Sequence, residues 1–214
     1  MSPGPTTVLV IAKEPVPGRV KTRLTPPYSP EEAARIAAAS LADTLRTVSA
    51  LPARRRVLVL EGRPGPWLPE GIEVRPQGPG GLDARIAAAF AQCAGPTLLI
   101  GMDTPQLTPA DLAPALSDDG WDGCDAWFGP AEDGGFWALG LAVPRPELVL
   151  GVPMSLPRTG ALQRARLTGA GLTVRDLPLL RDVDDAEDAA HVAAAAPYGE
   201  FAAVLARSAG AVAG

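Results

Sequence analysis

The sequence contains few of the residues that build zinc sites, disulfide frameworks or histidine-based catalytic triads. Its 214 residues include two cysteines and one histidine. Cys93 and Cys124 have no metal-type spacing and no partner motif, so we interpret each as a small buried residue. His191 stands alone in an Ala-rich stretch, which argues against a histidine triad or a histidine-bound metal.

Long apolar runs and an excess of positive charge are also lacking. No stretch approaches the roughly 18 apolar residues of a membrane span, and the opening letters MSPGPTT lack the charged and apolar regions of a secretion signal. A formal net charge of −5 argues against a general binder of nucleic acid or anionic membranes. We therefore expect a cytoplasmic protein without membrane or nucleic-acid partners, in which any anion site arises from local clustering of cations.

The sequence does have enough apolar residues, 47% of the total, to build one large core. Short apolar runs such as TVLVIA and PTLLIG alternate with helical runs such as LDARIAAAFAQC (82–93). A late strand is predicted over 171–180, followed by helices near 185–195 and 198–209. This alternation predicts a single-domain α/β fold with a mostly parallel sheet and helices on both faces.

Capping signals predict where several helices begin. Ser29 is followed by Pro30 and then by Glu32, which is the pattern of a hydroxyl cap with a carboxylate three residues on. Thr108 before a proline predicts a second capped start, and Asp185 predicts the cap of the late helix.

Four polar clusters follow predicted strands, and ligands of open α/β sheets bind beyond the carboxyl ends of the strands. The first cluster is KEPVPGRVKTRL, with four cations: Lys13, Arg19, Lys21 and Arg23. Gly18 would let a phosphate approach the backbone, and Lys21 and Arg23 would neutralise its charge. The alternative is a solvated basic turn. The glycine–lysine spacing does not match a Walker loop.

Two further clusters supply carboxylates. Asp103 in LLIGMDTP suits Mg²⁺ held jointly with nucleotide phosphates, because that ion takes few protein ligands. In LRDVDDAEDA, Asp182 and Asp184 alternate on a predicted strand end and would face one side, so that Asp184 could share a cation with Asp103. The alternatives are a turn residue at Asp103 and an acidic helix start around Asp185.

The last cluster is GPAEDGG, in which Glu132 and Asp133 are adjacent and point to opposite sides if the backbone is extended. Either carboxylate could act as a general base for a hydroxyl nucleophile, or the stretch could be a polar hairpin turn. Separately, Gly80 and Gly81 in QGPGGLDAR would allow a flat base to approach a helix start, or would simply be turn residues.

Together, the motifs AKEPVPGRVKTRL, QGPGGLDARI, IGMDTPQL, FGPAEDGGFWALGL and DVDDAED resemble a bacterial family of glycosyltransferase-A-like proteins. Its members are usually described as glycosyltransferases, some of them associated with arsenosugar biosynthesis or radical-SAM gene clusters. The resemblance covers roughly residues 7–190. A more distant resemblance is to the molybdenum-cofactor and phospholactate guanylyltransferases, which share the nucleotide-diphosphosugar transferase fold. The chain departs from the family at Met154-Ser155, where relatives carry Trp-Ser, in a loop expected to close over the second substrate.

The resemblance implies a nucleotide lying across the ends of the early strands, and it assigns a part of the site to each cluster. Its implied nucleotide-binding residues are Lys13, Gly18, Lys21, Arg23, Gly80 and Gly81. The implied ligands of Mg²⁺ or Mn²⁺ are Asp103 and Asp184, and the implied catalytic residues are Asp133, Glu132 and Lys21.

The favoured function is Mg-dependent glycosyl transfer from a nucleotide-diphospho-sugar to a hydroxyl of a small acceptor. One alternative is a nucleotidyltransferase that joins a nucleoside triphosphate to a phosphorylated metabolite and releases pyrophosphate. A second alternative is a nucleotide-binding module without turnover. The expected organisation is a flexible tail (1–6), a nucleotide-binding transferase domain (7–197) and a C-terminal Ala-rich helix and tail (198–214).

Overall fold

The computed structural model of the chain describes residues 5–212. In this range the strands are β1 (Thr7–Lys13), β2 (Arg55–Glu61), β3 (Glu73–Pro76), β4 (Thr97–Ile100), β5 (Ala126–Pro130), β6 (Phe136–Leu141) and β7 (Val174–Asp176). The helices are α1 (Pro30–Ala50), α2 (Leu82–Ala91), α3 (Pro109–Leu116), α4 (Thr159–Gly169), α5 (Ala186–Ala195) and α6 (Glu200–Val212). Short 3₁₀ turns lie at Thr22–Leu24 and Pro146–Leu148.

The seven strands form one sheet in the order β3-β2-β1-β4-β6-β5-β7. Strand β6 runs antiparallel to both of its neighbours, and every other pairing is parallel. The carboxyl ends of β1, β2, β3, β4, β5 and β7 therefore lie along a single edge. The predicted α/β fold with a mostly parallel sheet is confirmed.

Both faces of the sheet are covered, because alternate residues of each strand point to opposite sides. On one face, Val10 of β1 belongs to a core shared with Leu45 of α1 and other buried side chains. On the other face, Leu9 packs in a second core with Phe90 of α2 and Leu167 of α4. Burial on both sides explains why the central strands read as continuous apolar runs.

The predicted helix starts are confirmed by capping boxes, in which cap side chain and third residue bond reciprocally to backbone N–H groups. Ser29 pairs in this way with Glu32 at the start of α1. Thr108 and Asp111 do the same for α3, and Asp185 caps α5.

Two sequence predictions about the late part of the chain are wrong, and one helix there was not predicted. The strand predicted over 171–180 is regular only over the three residues of β7, and α4 was not predicted. Residues 177–184 instead cross the carboxyl edge of the sheet as an irregular segment, so Asp182 and Asp184 do not alternate on a strand. Two of the contacts that hold the crossing are the bridge between Leu180 and Ala131 after β5, and the hydrogen bond from the N–H of Val183 to the carbonyl of Asp103 at 2.9 Å.

Helix α6 and Thr6 pack against the same domain as the other elements. Phe201 of α6 is 1% exposed and belongs to a third core that also contains Ile36 of α1. Thr6, before β1, is buried and donates to the carbonyl of Ala115 at 3.0 Å. Residues 1–4 of the predicted tail and 213–214 lie outside the described residues, and the predicted division into tail, domain and terminal helix stays a prediction. None of the helices described between residues 5 and 212 is long and apolar enough to cross a membrane.

Candidate functional site

A cleft of about 270 Å³ opens at the carboxyl ends of β1 and β4, close to the lower limit of about 300 Å³ for small-molecule sites. Its lining is rich in charge. The lining residues are Lys13, Arg19, Val20, Lys21, Thr22, Arg23, Met102, Asp103 and Asp184. The sheet order brings the loop after β1 beside the loop after β4, and the crossing segment 177–184 closes the third side.

Lys21 lies at the bottom of this cleft with its side chain only 8% exposed. Its Nζ is 2.7 Å from Oδ1 of Asp103 and 3.5 Å from Oδ1 of Asp184, and it also donates to the carbonyl of Val183. Burial lowers the pKa of Lys21, but the carboxylates of Asp103, Asp184 and Asp182 together outweigh burial, so the pKa lies above its ordinary value. Lys21 is therefore a buried, charged ammonium that joins two acidic residues.

The backbone of Lys21 has an unusual conformation, with φ 47° and ψ 42°. This left-handed region is uncommon for a residue other than glycine. Lys21 ends the loop and leads directly into the 3₁₀ turn Thr22–Leu24, in which Leu24 is fully buried. The buried leucine anchors the turn and so fixes the direction from which Lys21 enters the cleft.

The other loop cations lie at the rim. Arg23 is 3.3 Å from Oδ2 of Asp184, and its side chain is 75% exposed. Lys13 and Arg19 are each 3.9 Å from the carboxylate of Glu61, at the end of β2, and both are more than half exposed. These exposed cations can reorient toward an incoming anion at little cost, because exposed ion pairs contribute little to stability.

Glu61 has a third partner in Arg85 of α2. The hydrogen bond from Arg85 and the nearby cations keep the pKa of Glu61 below its ordinary value. Arg85 also donates from Nε to the carbonyl of Gly80 at 2.9 Å, and Gly80 has φ +99°, which glycine adopts without strain. The glycine turn Gly80-Gly81 is thus tied to the rim of the cleft through Arg85 and Glu61, and does not line it.

Asp182 lies close to Asp103 and Lys21 and is mostly buried. Its Oδ1 finds no hydrogen-bond partner in the part of the chain that the structure describes. Burial, together with the charges of Asp103 and Asp133, raises the pKa of Asp182 to about 7. The site therefore gathers more carboxylate charge than Lys21 neutralises.

The two carboxylates of the β5–β6 hairpin are directed differently from each other. Glu132 forms an ion pair with Arg181 at 2.7 Å. Asp133 is exposed and accepts from the N–H of Gly135 through Oδ1 at 2.8 Å. Neither residue lines the cleft.

Helix α4 docks against the back of this hairpin through glycines. The N–H of Gly160 donates to the carbonyl of Gly134 at 2.9 Å. A Cβ on Gly160 would lie 2.4 Å from the carbonyl oxygen of Gly135, and one on Gly134 would lie 1.9 Å from that of Pro157. The hairpin and the start of α4 therefore form one rigid unit. Met154, in the loop before α4, packs against the core on that face.

The family profile described as an uncharacterized protein conserved in bacteria, DUF2064, matches residues 36–156 of the chain. The chain belongs to the DUF2064 family. No curated protein sequence matches it significantly. The narrower resemblance to arsenosugar-associated glycosyltransferases stays a prediction.

Solved structures with the same fold place this DUF2064 chain among nucleotide-diphosphosugar transferase-like folds. A proposed nucleotide-diphospho-sugar transferase from Desulfovibrio desulfuricans G20 superposes with a TM-score of 0.84 at 23% identity, over 99% of this chain and 97% of the other. A CMP:2-keto-3-deoxy-manno-octonic acid synthetase in complex with CTP gives 0.58 at 11% identity, over 90% and 98%. The 2-C-methyl-D-erythritol 4-phosphate cytidylyltransferase from Thermus thermophilus gives 0.51 at 15% identity, over 92% and 100%. The predicted fold family is confirmed by these likenesses.

The structure brings together five of the residues predicted for the site in this DUF2064 chain and separates the others. Those in the cleft are Lys13, Lys21, Arg23, Asp103 and Asp184. Those outside its lining are Gly18, Gly80, Gly81, Glu132 and Asp133.

Three charged residues that lie around the cleft and the hairpin were assigned no role from the sequence: Glu61, Asp182 and Arg181. Glu61 is a charged residue at the carboxyl end of a parallel strand, so the rule that selected Asp103 also applies to it. The partner of Glu132, Arg181, carried no local signal, because 49 residues separate the two.

The donor atoms suit a hard divalent cation that arrives with phosphate groups. Asp103 and Asp184 offer carboxylate oxygens, the ligands that Mg²⁺ and Mn²⁺ prefer. Among residues 5–212, no group of three or more His, Cys, Asp or Glu side chains is arranged as a metal site. Two partly exposed carboxylates match an ion that takes one or two protein ligands and completes its shell with phosphate and water.

Proposed function

We propose that this DUF2064 chain is a transferase that uses a nucleotide-activated substrate, and that it transfers a glycosyl group from a nucleotide-diphospho-sugar to a hydroxyl of a small acceptor. The observation that carries the proposal is the cleft at the ends of β1 and β4, where four cations surround two carboxylates. A diphosphate with one divalent ion matches that arrangement of charge.

In this proposal the rim cations and Lys21 bind the phosphates. Arg23 offers a planar fork to a phosphate, whereas Lys13 and Lys21 act as point charges. Asp103 and Asp184 would hold Mg²⁺ or Mn²⁺. When bound there, the ion would neutralise the charge that develops on the departing diphosphate. Gly80 and Gly81 lie along the same edge, where the base would extend from the phosphates toward α2.

A hydroxyl acceptor needs a general base, and Asp133 is the better candidate of the hairpin pair. Glu132 is engaged by Arg181, so its carboxylate is held away from a substrate. Asp133 is exposed, and within residues 5–212 it has no ion-pair partner. Because the hairpin and α4 form one unit, Met154 and Ser155 would border the acceptor.

A specific observation also favours nucleotidyl transfer as a second candidate. A phosphate nucleophile needs no base, and the four cations also suit the greater negative charge of a triphosphate. The ion pair between Glu132 and Arg181 fits this reaction, because the reaction does not need Glu132 as a base. In this reaction a nucleoside triphosphate would lose pyrophosphate. The proposed donor and acceptor are small molecules in both cases, and the proposed location is the cytoplasm. A nucleotide-binding module without turnover is the remaining alternative.

Thermal unfolding with Mg²⁺ and a panel of ligands tests the proposal. Saturation at about 100 times the dissociation constant stabilises the folded state by about 2.7 kcal/mol, which raises Tm by several degrees. Stabilisation by nucleotide-diphospho-sugars supports glycosyl transfer, and release of nucleoside diphosphate in ³¹P NMR would establish turnover. Stabilisation by triphosphates alone, with release of pyrophosphate, would establish the second candidate. No response to any nucleotide would refute both.

A further inference from the structure

The ammonium group of Lys21 occupies the position between the two carboxylates proposed to bind the metal. Its Nζ is 2.7 Å from Asp103 and 3.5 Å from Asp184. Metal–oxygen distances for Mg²⁺ are about 2.0–2.1 Å. An ion bridging the same two oxygens would therefore overlap the ammonium group, and the two positive charges would repel each other.

A backbone hydrogen bond joins the two segments that carry the carboxylates, whereas Lys21 contacts them through its side chain. The N–H of Val183 donates to the carbonyl of Asp103 at 2.9 Å, which joins the segment bearing Asp184 to the loop after β4. Lys21 reaches this pair across the cleft and donates to the carbonyl of Val183. Rotation of the long lysine side chain would release the carboxylates without moving either segment.

The surroundings of Lys21 offer it another position. It lines the same cleft as Arg19 and Arg23, whose side chains are 72% and 75% exposed. A polyphosphate drawn in by these rim cations would present oxygens to Lys21 from the open side. The buried Oδ1 of Asp182, without a hydrogen-bond partner among the described residues, lies near the position that Lys21 would vacate.

We infer that Lys21 is an internal cation that holds Asp103 and Asp184 in the nucleotide-free protein, and that a divalent ion enters only when nucleotide phosphates draw the ammonium away. The inference rests on the proposed function for its second half. The nucleotide-free protein then binds divalent metal poorly, and nucleotide and metal bind with strong positive coupling. Lys21 has two tasks in sequence: neutralising the carboxylates, then binding phosphate.

Titration with Mn²⁺ without nucleotide, followed by the EPR signal of the free ion, tests the first half. Lys21→Met is expected to bind Mn²⁺ at least about tenfold more tightly than the wild type, because a neighbouring positive charge is removed. Lys21→Arg keeps the charge and is expected to match the wild type. Lys13→Met removes an exposed charge paired with Glu61 and is the control for charge at the rim. The double variant Lys21→Met/Asp103→Asn is expected to lose the gain.

Equal Mn²⁺ affinity in the wild type and Lys21→Met would overturn the inference, and so would an equal gain in Lys13→Met. Circular dichroism establishes that each variant is folded, and Lys21→Gln replaces Lys21→Met if the methionine variant is not. In a second titration, a nucleotide that stabilises the wild type should raise its Mn²⁺ affinity, and no rise would also overturn the inference. A wild type that binds no nucleotide refutes the proposed function, and the first titration still decides the resting role of Lys21.

Discussion

Replacing Asp182 with asparagine should stabilise the protein at alkaline pH and have much less effect near pH 4. The carboxyl group is mostly buried, and Oδ1 lacks a hydrogen-bond partner within the described residues. Burial, reinforced by Asp103 and Asp133, raises its pKa from 3.8 to about 7. The folded protein therefore favours the neutral acid, which asparagine resembles in size and charge.

The sign and size of this change in the free energy of unfolding follow from the difference in the pKa of Asp182 between the folded and unfolded states. At and below pH 3.8, Asp182 is protonated in the folded protein and at least half protonated in the unfolded chain, so its ionisation costs little. Between pH 4 and 7 the unfolded chain releases the proton while the folded protein keeps it, and the free energy of unfolding falls. A pKa change from 3.8 to about 7 corresponds to about 4 kcal/mol above pH 7, at about 1.4 kcal/mol per pKa unit.

Urea denaturation of the wild type and Asp182→Asn, from pH 4.5 to 8.5 with EDTA, measures this difference. The advantage of the variant should grow with pH and level off above pH 7. Asp118→Asn, at an exposed position, is the matched control and should show no such trend. A difference between wild type and Asp182→Asn that does not vary with pH would refute the reasoning, whatever its absolute value.

Three further predictions concern the cleft and the hairpin. Asp103→Asn should abolish the Mg²⁺-dependent part of nucleotide binding in calorimetry while the circular dichroism spectrum stays that of the wild type; unchanged magnesium dependence would remove Asp103 from the metal site. Lys21→Ala should weaken binding of a triphosphate more than that of the nucleoside, and equal losses would mean that the loop does not bind phosphate. Gly160→Ala should lower the free energy of unfolding by about 1–3 kcal/mol, because its Cβ would meet the carbonyl oxygen of Gly135 at 2.4 Å. Gly169→Ala, in the same helix with open space around the new Cβ, is the control in urea denaturation, and equal effects would contradict the close docking of α4.

Much of the fold could be predicted because its signals are local. The apolar runs indicated the buried strands, and Ser29 and Thr108 marked helix starts through their own capping bonds. Helix α4 lacked such a signal, because its cap residue, Arg158, makes no capping bond through its side chain. Its start is set instead by the contact between Gly160 and the hairpin.

The site could be predicted only as far as strand ends determine it. Asp103 directly follows β4 and converges with Asp184 on one cation, but that cation is Lys21, and Asp184 lies on the irregular crossing segment and not at a strand end. The contact between Lys21 and Asp184 spans more than 160 residues of sequence, and it depends on the left-handed backbone of Lys21, for which a lysine gives no sequence signal. The burial of Asp182 depends on tertiary packing for the same reason.

The crossing segment 177–184 should tolerate less change in length than an ordinary surface loop. Loops on the surface of a protein usually tolerate insertions. The crossing segment is pinned at Leu180 beside β5 and at Val183 beside β4. Strand β6 lies between β4 and β5, so the span between the two pins corresponds to two strand spacings of about 4.8 Å each. One added residue between the two pins would carry Asp182 and Asp184 out of register with Asp103. In an alignment of DUF2064 sequences, the number of residues from 177 to 184 should therefore be constant even where the residue types change.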